Sequence, residues 1–205
     1  IIPFWEGQTI RELIFTEMTA EWKAAYQAGM FTEFMEQRAP GHTVLDDKIY
    51  QMGMLDFIAK IEESISGLDF ITDPQAYGRQ EELRGMKIAA QAIIRFGERH
   101  AEKALELAAV EADSHRKAEL EQIAEICKWV PANAPRNFWE ALQYYWFVHL
   151  GVITELNTWD AFNPGRIDQH LFPFYESEIS DGTLTREQAE ELLQCFWIKF
   201  NNQPA

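Results

Sequence analysis

Cysteine is scarce in this chain: Cys127 and Cys195 are the only two in 205 residues, and both stand in apolar, helical-looking contexts. No CxxC, no HExxH and no pair of histidines at metal-ligand spacing occurs, which argues against an intrinsic metal site and a disulfide framework. The two thiols read as reduced core residues of a cytoplasmic protein. Positive charge is also in deficit, with 18 Lys and Arg against 33 Asp and Glu and a formal net charge of −15. A chain so acidic is a poor partner for a nucleic-acid backbone or an anionic membrane. No apolar run approaches the roughly 18 residues a membrane span needs, since the richest stretch, residues 144–153, is interrupted by His149. Internal repeats, low-complexity runs and flexible linkers are missing. The chain opens on Ile1-Ile2-Pro3, with neither Met nor the basic start of a signal peptide. It stops at Asn201-Asn202-Gln203-Pro204-Ala205, and both ends are expected to be cuts in something longer.

What the chain does have is 47% hydrophobic and 13% aromatic residues, enough to bury a core. The stretch from Phe138 to Tyr175 is the one around which the rest is expected to organise. Phe138, Leu142, Tyr145, Trp146, His149 and Leu150 recur at three- and four-residue steps, and few polar residues separate them. A helix apolar nearly all round belongs inside a large protein. It is expected to run through Gly151 to Ile153, pass into a polar turn over 155–160, and stop at Asn163-Pro164-Gly165-Arg166, where proline and glycine force a change of direction. Asp160, Arg166, Asp168 and His170 fall in or beside that turn between apolar walls. Titratable groups in such surroundings suggest a site, with a buried ion-pair network holding the turn as the alternative.

Periodicity and capping signals predict a mainly α stretch. Residues 3–30 read as two helices, capped by Thr9 and Thr19, with Gly29 closing the second. In FTEFMEQRAPGHT, residues 31–43, Phe34, Arg38 and His42 stand at four-residue steps. The Ala39-Pro40-Gly41 break puts His42 on a loop, where its side chain can face a cavity or simply the surface. One amphipathic helix is predicted over 46–66, with Ile49, Met52, Leu55, Ile58, Ile61 and Ile65 inward. A long helix over 75–112 turns Leu83, Met86, Ile88, Ile93, Ile94 and Phe96 inward and leaves His100 on a charged face. A further helix from Arg116 to about Val130 stops before Pro131 and Pro135. Thr185, with Gln188 at capping-box spacing, opens a last helix through Ala189, Leu192, Leu193, Phe196 and Trp197.

Four stretches carry a resemblance: AGMFTEFMEQRAPGHT (28–43), FWEALQYYWFVHLGVITELN (138–157), WDAFNPGRIDQHL (159–171) and CFWIKFNNQPA (195–205). Together they resemble the glycyl radical enzymes, the family of pyruvate formate-lyase, along essentially the whole chain. The resemblance implies a ten-stranded α/β barrel with surrounding helices, of which residues 1–205 would be a partial domain. It implies a lyase reaction, the removal of water from trans-4-hydroxy-L-proline to give 1-pyrroline-5-carboxylate. Arylacetate decarboxylation, glycerol or propanediol dehydration, choline or isethionate cleavage, and a catalytically inactive helical fragment are the alternatives. Phe34 matches an aromatic wall of the family's substrate pocket, His42 a histidine near the substrate hydroxyl, and Asp160 an acidic residue that meets the substrate's polar groups. Arg38 and Asn163 are further candidates. The residue types suit the chemistry. A buried ammonium needs a carboxylate, and a departing hydroxyl needs a hydrogen-bond donor that histidine can supply near neutral pH.

The chain also departs from the family pattern. The thiyl cysteine followed by Val-Glu and the glycyl radical loop have no match, since Cys127 stands in Ile-Cys-Lys-Trp and Cys195 in Gln-Cys-Phe-Trp. The implied radical therefore lies outside this chain and is installed by a separate radical S-adenosylmethionine activase. No cofactor is expected to bind directly, and this stretch alone is expected to be inactive. A small-molecule substrate and the activase are the implied partners, with a homodimer as an assembly common in the family.

Overall fold

The computed structural model describes residues 10–30, 45–155 and 163–201. The chain forms two compact units, Ile1–His42 and Thr43–Ala205. Among the described residues every regular element is a helix. The ten-stranded barrel implied by the resemblance therefore has no strand here, and this stretch is helical.

In the first unit, α1 (Ile10–Glu17) is followed by α2 (Ala20–Gln27). Thr19 caps α2 as its spacing predicts: the side chain accepts from the Trp22 N–H at 3.3 Å. Gly29 closes the helix at φ 72°, the left-handed conformation that glycine adopts without a Cβ penalty. Phe15 and Tyr26 meet edge to face, centroids 5.0 Å apart. The predicted Thr9 cap lies outside the described residues.

The second unit runs from a 3-10 turn, Asp46–Tyr50, through α3 (Met54–Ser66), α4 (Ala76–Val110), α5 (Ser114–Trp129), α6 (Phe138–Glu155), α7 (Ile167–Asp181) and α8 (Arg186–Asn201). Its centre is α6, which touches α4, α5, α7, α8 and the 3-10 turn. Tyr144, Phe147 and Ile153 are almost completely buried, with Phe138, Ala141, Leu142, Tyr145 and Val148 beside them. Each large apolar side chain taken out of water contributes on the order of 2 kcal/mol, so the helix read from the sequence as apolar all round is the core.

The ends of a buried helix carry unpaired backbone N–H and C=O groups that must find partners. At the start of α6, Asn137 accepts from the Glu140 N–H at 2.9 Å. Glu178, on α7, accepts from the Phe138 N–H at 2.6 Å. A carboxylate there also suits the positive end of the helix dipole. Glu140 is 1% exposed, and its charge is matched by donors from Arg136: the backbone N–H at 2.7 Å and the guanidinium. That guanidinium also lies over the Trp129 ring, 3.9 Å from its centroid.

The single helix predicted over 46–66 is two elements. The break at Gly53 has a tertiary cause, the turn that follows α5. There the Pro131 carbonyl accepts from the Met54 N–H at 2.9 Å and the Ala132 carbonyl from the Leu55 N–H at 3.0 Å. Asp56 closes the cap on the Gly53 N–H at 2.8 Å. Backbone from 131–133 thus occupies the N-terminus of α3, and the frame shifts: Met54 is buried while Leu55, expected inward, is half exposed. A side chain at Gly53 would run into the Ala132 carbonyl oxygen and the Asn133 backbone. Gly97 on α4 makes a similar approach, since a Cβ there would lie 2.6 Å from Pro131 Cδ.

Residues 76–110 form one long helix as predicted, and Ile93, Ile94 and Phe96 pack against the core as expected, but the rest of the inward face differs. Met86 and Ile88 are exposed at 56% and 66%, whereas Ala90, Gly97, Ala101, Ala104 and Ala108 are buried. Small residues let α5 lie close along α4, so backbone proximity rather than side-chain size selects the contact face. Helix α5 is capped by Asp113, which accepts from the His115 N–H at 2.8 Å, and the His115 ring is solvated beside Glu119. His100 packs on Phe96 and Phe147 and contacts the Phe96 carbonyl at 2.9 Å, a structural role as expected. Thr185 and Gln188 form the reciprocal cap of α8, at 2.9 and 3.2 Å. Trp197, expected inward, is half exposed while Phe196 is buried. Cys127 is a buried thiol as predicted, pushed up to about 11 by burial, but Cys195 faces solvent and is no core residue.

His149 is 2% exposed. Its ring stacks on Trp146 with centroids 5.2 Å apart, and its Nδ1 lies 3.3 Å from the Tyr145 hydroxyl. Nε2 has no hydrogen-bond partner among the described residues. Burial without a counter-charge pushes the imidazole below its usual range, so the folded protein holds it neutral.

Two outcomes follow for stability. Gly53→Ala is expected to cost about 3 kcal/mol, because neither backbone neighbour can yield; a melting temperature indistinguishable from wild type would contradict the docking described. For His149, the unfolded chain takes up a proton below about pH 6.5 that the folded one refuses. Stability therefore falls as pH drops through that range, by at most about 1.4 kcal/mol per unit for one proton. Denaturant titrations at neutral and mildly acidic pH, on either side of that value, should show a smaller loss for His149→Phe than for wild type.

Candidate functional site

Four of the five candidate substrate-binding residues, Phe34, Arg38, His42 and Asp160, lie outside the described residues. The fifth, Asn163, stands at the turn that leads into α7. Its side-chain oxygen accepts from the Gly165 N–H at 2.8 Å, Pro164 is buried, and Gly165 takes φ 62°. The Arg166 carbonyl then accepts from the Gln169 and His170 N–H groups at 2.9 and 3.0 Å, which starts α7. The turn forms where the sequence places it, and the Asn163 oxygen is committed to it.

The titratable cluster expected around this turn does not assemble among its described members. Arg166 is exposed and reaches Gln169, at 3.4 Å, while Asp168 is exposed on the first turn of α7. Asp168 and His170, two residues apart, project from opposite sides of α7, and Arg166 is the N-cap, outside the helical conformation. His170 turns inward. Its ring stacks on Tyr50, with centroids 5.1 Å apart and planes 18° from parallel, and Nε2 lies 3.9 Å from an Asp46 carboxylate oxygen. Tyr50 is buried, which raises its hydroxyl well above the ordinary tyrosine range. It also meets Phe174 one turn further along α7, centroids 6.5 Å apart.

The 3-10 turn that carries Asp46 and Tyr50 begins in an unusual conformation. Leu45 and Asp46 are both left-handed, at φ 63° and 50°. A non-glycine residue there costs roughly 1–2 kcal/mol, and such strain persists only where surrounding contacts impose it. The same turn carries fully buried Ile49 and buried Tyr50, which stacks on His170. Sequence reasoning had no access to this grouping, because Tyr50 and His170 are distant in the chain and neither stands in a motif that announces the other.

An open cavity of about 580 Å³ lies between α7 and α8, lined by Phe138, Leu171, Tyr175 and Leu193 with Asp168 and Arg186 at its polar side. It contains none of the predicted binding residues. Among the described residues no group of His, Cys, Asp and Glu could hold a metal ion, and no helix is long and apolar enough to cross a membrane. Cys127 packs with Ala101 and Phe147 in the core, and Cys195 is on the surface of α8, so neither thiol sits in a prepared site.

Comparison with known proteins bears on the whole chain. The family description Pyruvate formate lyase-like matches residues 1–205. Trans-4-hydroxy-L-proline dehydratase of Clostridioides difficile is 55% identical over 205 residues, covering 100% of this chain and 26% of that enzyme. Its crystal structure with trans-4-hydroxy-L-proline bound superposes with a TM-score of 0.83 over 100% of this chain and 26% of that one. Isethionate sulfite-lyase of Oleidesulfovibrio alaskensis is 35% identical over 207 residues, 97% of this chain and 25% of the enzyme. The chain thus spans about a quarter of the length of these relatives. With the family matched from end to end and the helices superposing on a relative 55% identical, the chain belongs to the pyruvate formate lyase-like family of glycyl radical enzymes.

Proposed function

We propose that this chain is the part of a glycyl radical dehydratase that helps to bind trans-4-hydroxy-L-proline, which the whole enzyme converts to 1-pyrroline-5-carboxylate with loss of one water. The observation that carries the reading is the 55% identity to a hydroxyproline dehydratase along the full 205 residues. Identity to the isethionate lyase over nearly the same span is 35%, and the Phe34, His42 and Asp160 set has no obvious use for a sulfonate.

In this reading Asp160 pairs with the substrate's ammonium, which a dry pocket would otherwise reject. His42 donates a hydrogen bond to the departing hydroxyl, and Phe34 lies against the apolar face of the ring. Arg38 is a further candidate for the substrate carboxylate, and Asn163, three residues after Asp160, is another candidate for the site. The glycyl radical, outside this chain, supplies hydrogen-atom abstraction. Cys127, packed in the core, and Cys195, on a helix surface, have no place in that step. The reading brings with it a radical S-adenosylmethionine activase as partner, a homodimer as assembly and a cytoplasmic location. Family membership and the unpaired thiols support this part of the reading.

The full-length protein, activated anaerobically, should release 1-pyrroline-5-carboxylate from trans-4-hydroxy-L-proline and leave glycerol, 4-hydroxyphenylacetate, choline and isethionate untouched. Turnover of one of the others instead would keep the family and discard this substrate. Asp160→Ala should lower turnover by about a hundredfold or more, since an unpaired ammonium then enters a dry pocket. Its melting temperature and radical yield should stay at wild-type values, and wild-type kinetics in this variant would remove Asp160 from the site.

A further inference from the structure

Helices α7 and α8 both rest on α6, and the open cavity of about 580 Å³ between them is floored by the core itself. Phe138 and Leu171 line it and are buried members of the main hydrophobic cluster, with Tyr175 and Leu193 packed against them. The lining keeps helical steps: positions 168, 171, 172 and 175 make one stripe of α7, and 186, 190, 193 and 197 one stripe of α8. Along this groove aromatic rings stand in the open. Phe172 is 54% exposed and Trp197 48%, and Ile198, next to Trp197, is 57% exposed. Hydrophobic residues scattered singly on a surface are ordinary, but rings gathered along one groove mark a face that is covered in the working protein.

We propose that this groove is filled by a segment of the same polypeptide lying outside residues 1–205, an apolar stretch whose side chains continue the core between α7 and α8. Length supports that occupant. The whole of this chain matches 26% of the hydroxyproline dehydratase, so an enzyme of that size has most of its polypeptide still to place around these helices. Continuity supports it as well: the floor of the groove is the first turn of the central core helix, so filling it enlarges the interior of one domain. Asp168 and Arg186 are exposed at its polar side and have no ion-pair partner among the described residues. They call for a basic and an acidic group flanking the apolar stretch, as at the polar rim of an interface. The inference rests on family membership and length, and is independent of the substrate proposed above.

The test uses the full-length protein. With benzoylphenylalanine placed at position 172, irradiation should give a product of single-chain mass in denaturing electrophoresis, in which position 172 is joined to a peptide outside 1–205. Hydroxyl-radical footprinting of the wild type, read by mass spectrometry, needs no substitution. Trp197 should be oxidised at about a fifth or less of its rate in the unfolded protein, because the centre of a covered face is fully buried. Left uncovered, a ring 48% exposed would react at about half that unfolded rate. A product of double mass would assign the groove to a second copy, and one confined to residues 1–205 would assign it to this stretch itself; either overturns the proposal. So does oxidation of Trp197 above about a fifth of its unfolded rate, or irradiation that yields no single-mass product. If another compound of the panel is the substrate, the dehydratase reading falls while the docking is still scored.

Discussion

Taking α6 out of water is the constraint on which the second unit depends. Tyr144, Phe147 and Val148 lie along one face of the helix and Leu142, His149 and Ile153 along the opposite one, so no single neighbour can cover them. Helices α4, α5, α7 and α8 and the 3-10 turn surround it for that reason. The first turn still needs acceptors for its backbone N–H groups, and Asn137 and Glu178 provide them. The bond from Phe138 to Glu178 also fixes α7 against the start of α6, so a requirement for hydrogen bonding sets the placement of a helix.

The polar groups inside this core fall into two kinds. Glu140 is satisfied from two sides of the same residue, the backbone and side chain of Arg136, and its charge is carried in the core by a guanidinium that is itself half in solvent. His149 Nε2 and the Tyr144 hydroxyl are buried with no hydrogen-bond partner among the described residues. A neutral imidazole among Trp146, Tyr145 and Phe200 tolerates this far better than an imidazolium would, because transfer of a charge into an apolar setting costs far more than transfer of a neutral ring. Acid asks the histidine to accept a proton that its surroundings disfavour.

In the proposed reading, Phe34, His42 and Asp160 come from stretches that the described helices flank. Helix α6 ends at Glu155 just before the stretch that carries Asp160, and α7 begins just after it. The 3-10 turn follows the stretch that carries Phe34 and His42. Catalytic and binding residues on loops positioned by a rigid scaffold are the ordinary arrangement in enzymes. Here the scaffold is a set of helices, about a quarter of the length of the related enzymes.

The sequence by itself determined the class of structure, the central helix and the family. Periodicity and capping are local: Thr19, Gly29, Asp113 and the Thr185–Gln188 box act within a few residues, and each does what local chemistry asks of it. Family words such as WDAFNPGRIDQHL are local too, which is why the resemblance could be read without a structure and the relatives agree with it. Tertiary structure alone decided the rest. The break at Gly53 is imposed by backbone from 131–133. The inward face of α4 is chosen by how closely α5 can approach its alanines, so Met86 and Ile88 stay outside. His170 leaves the expected cluster for Tyr50 because α7 turns its ring towards the 3-10 turn. In each case the deciding partner belongs to another element, and no periodicity within one segment carries information about which backbone will lie against it.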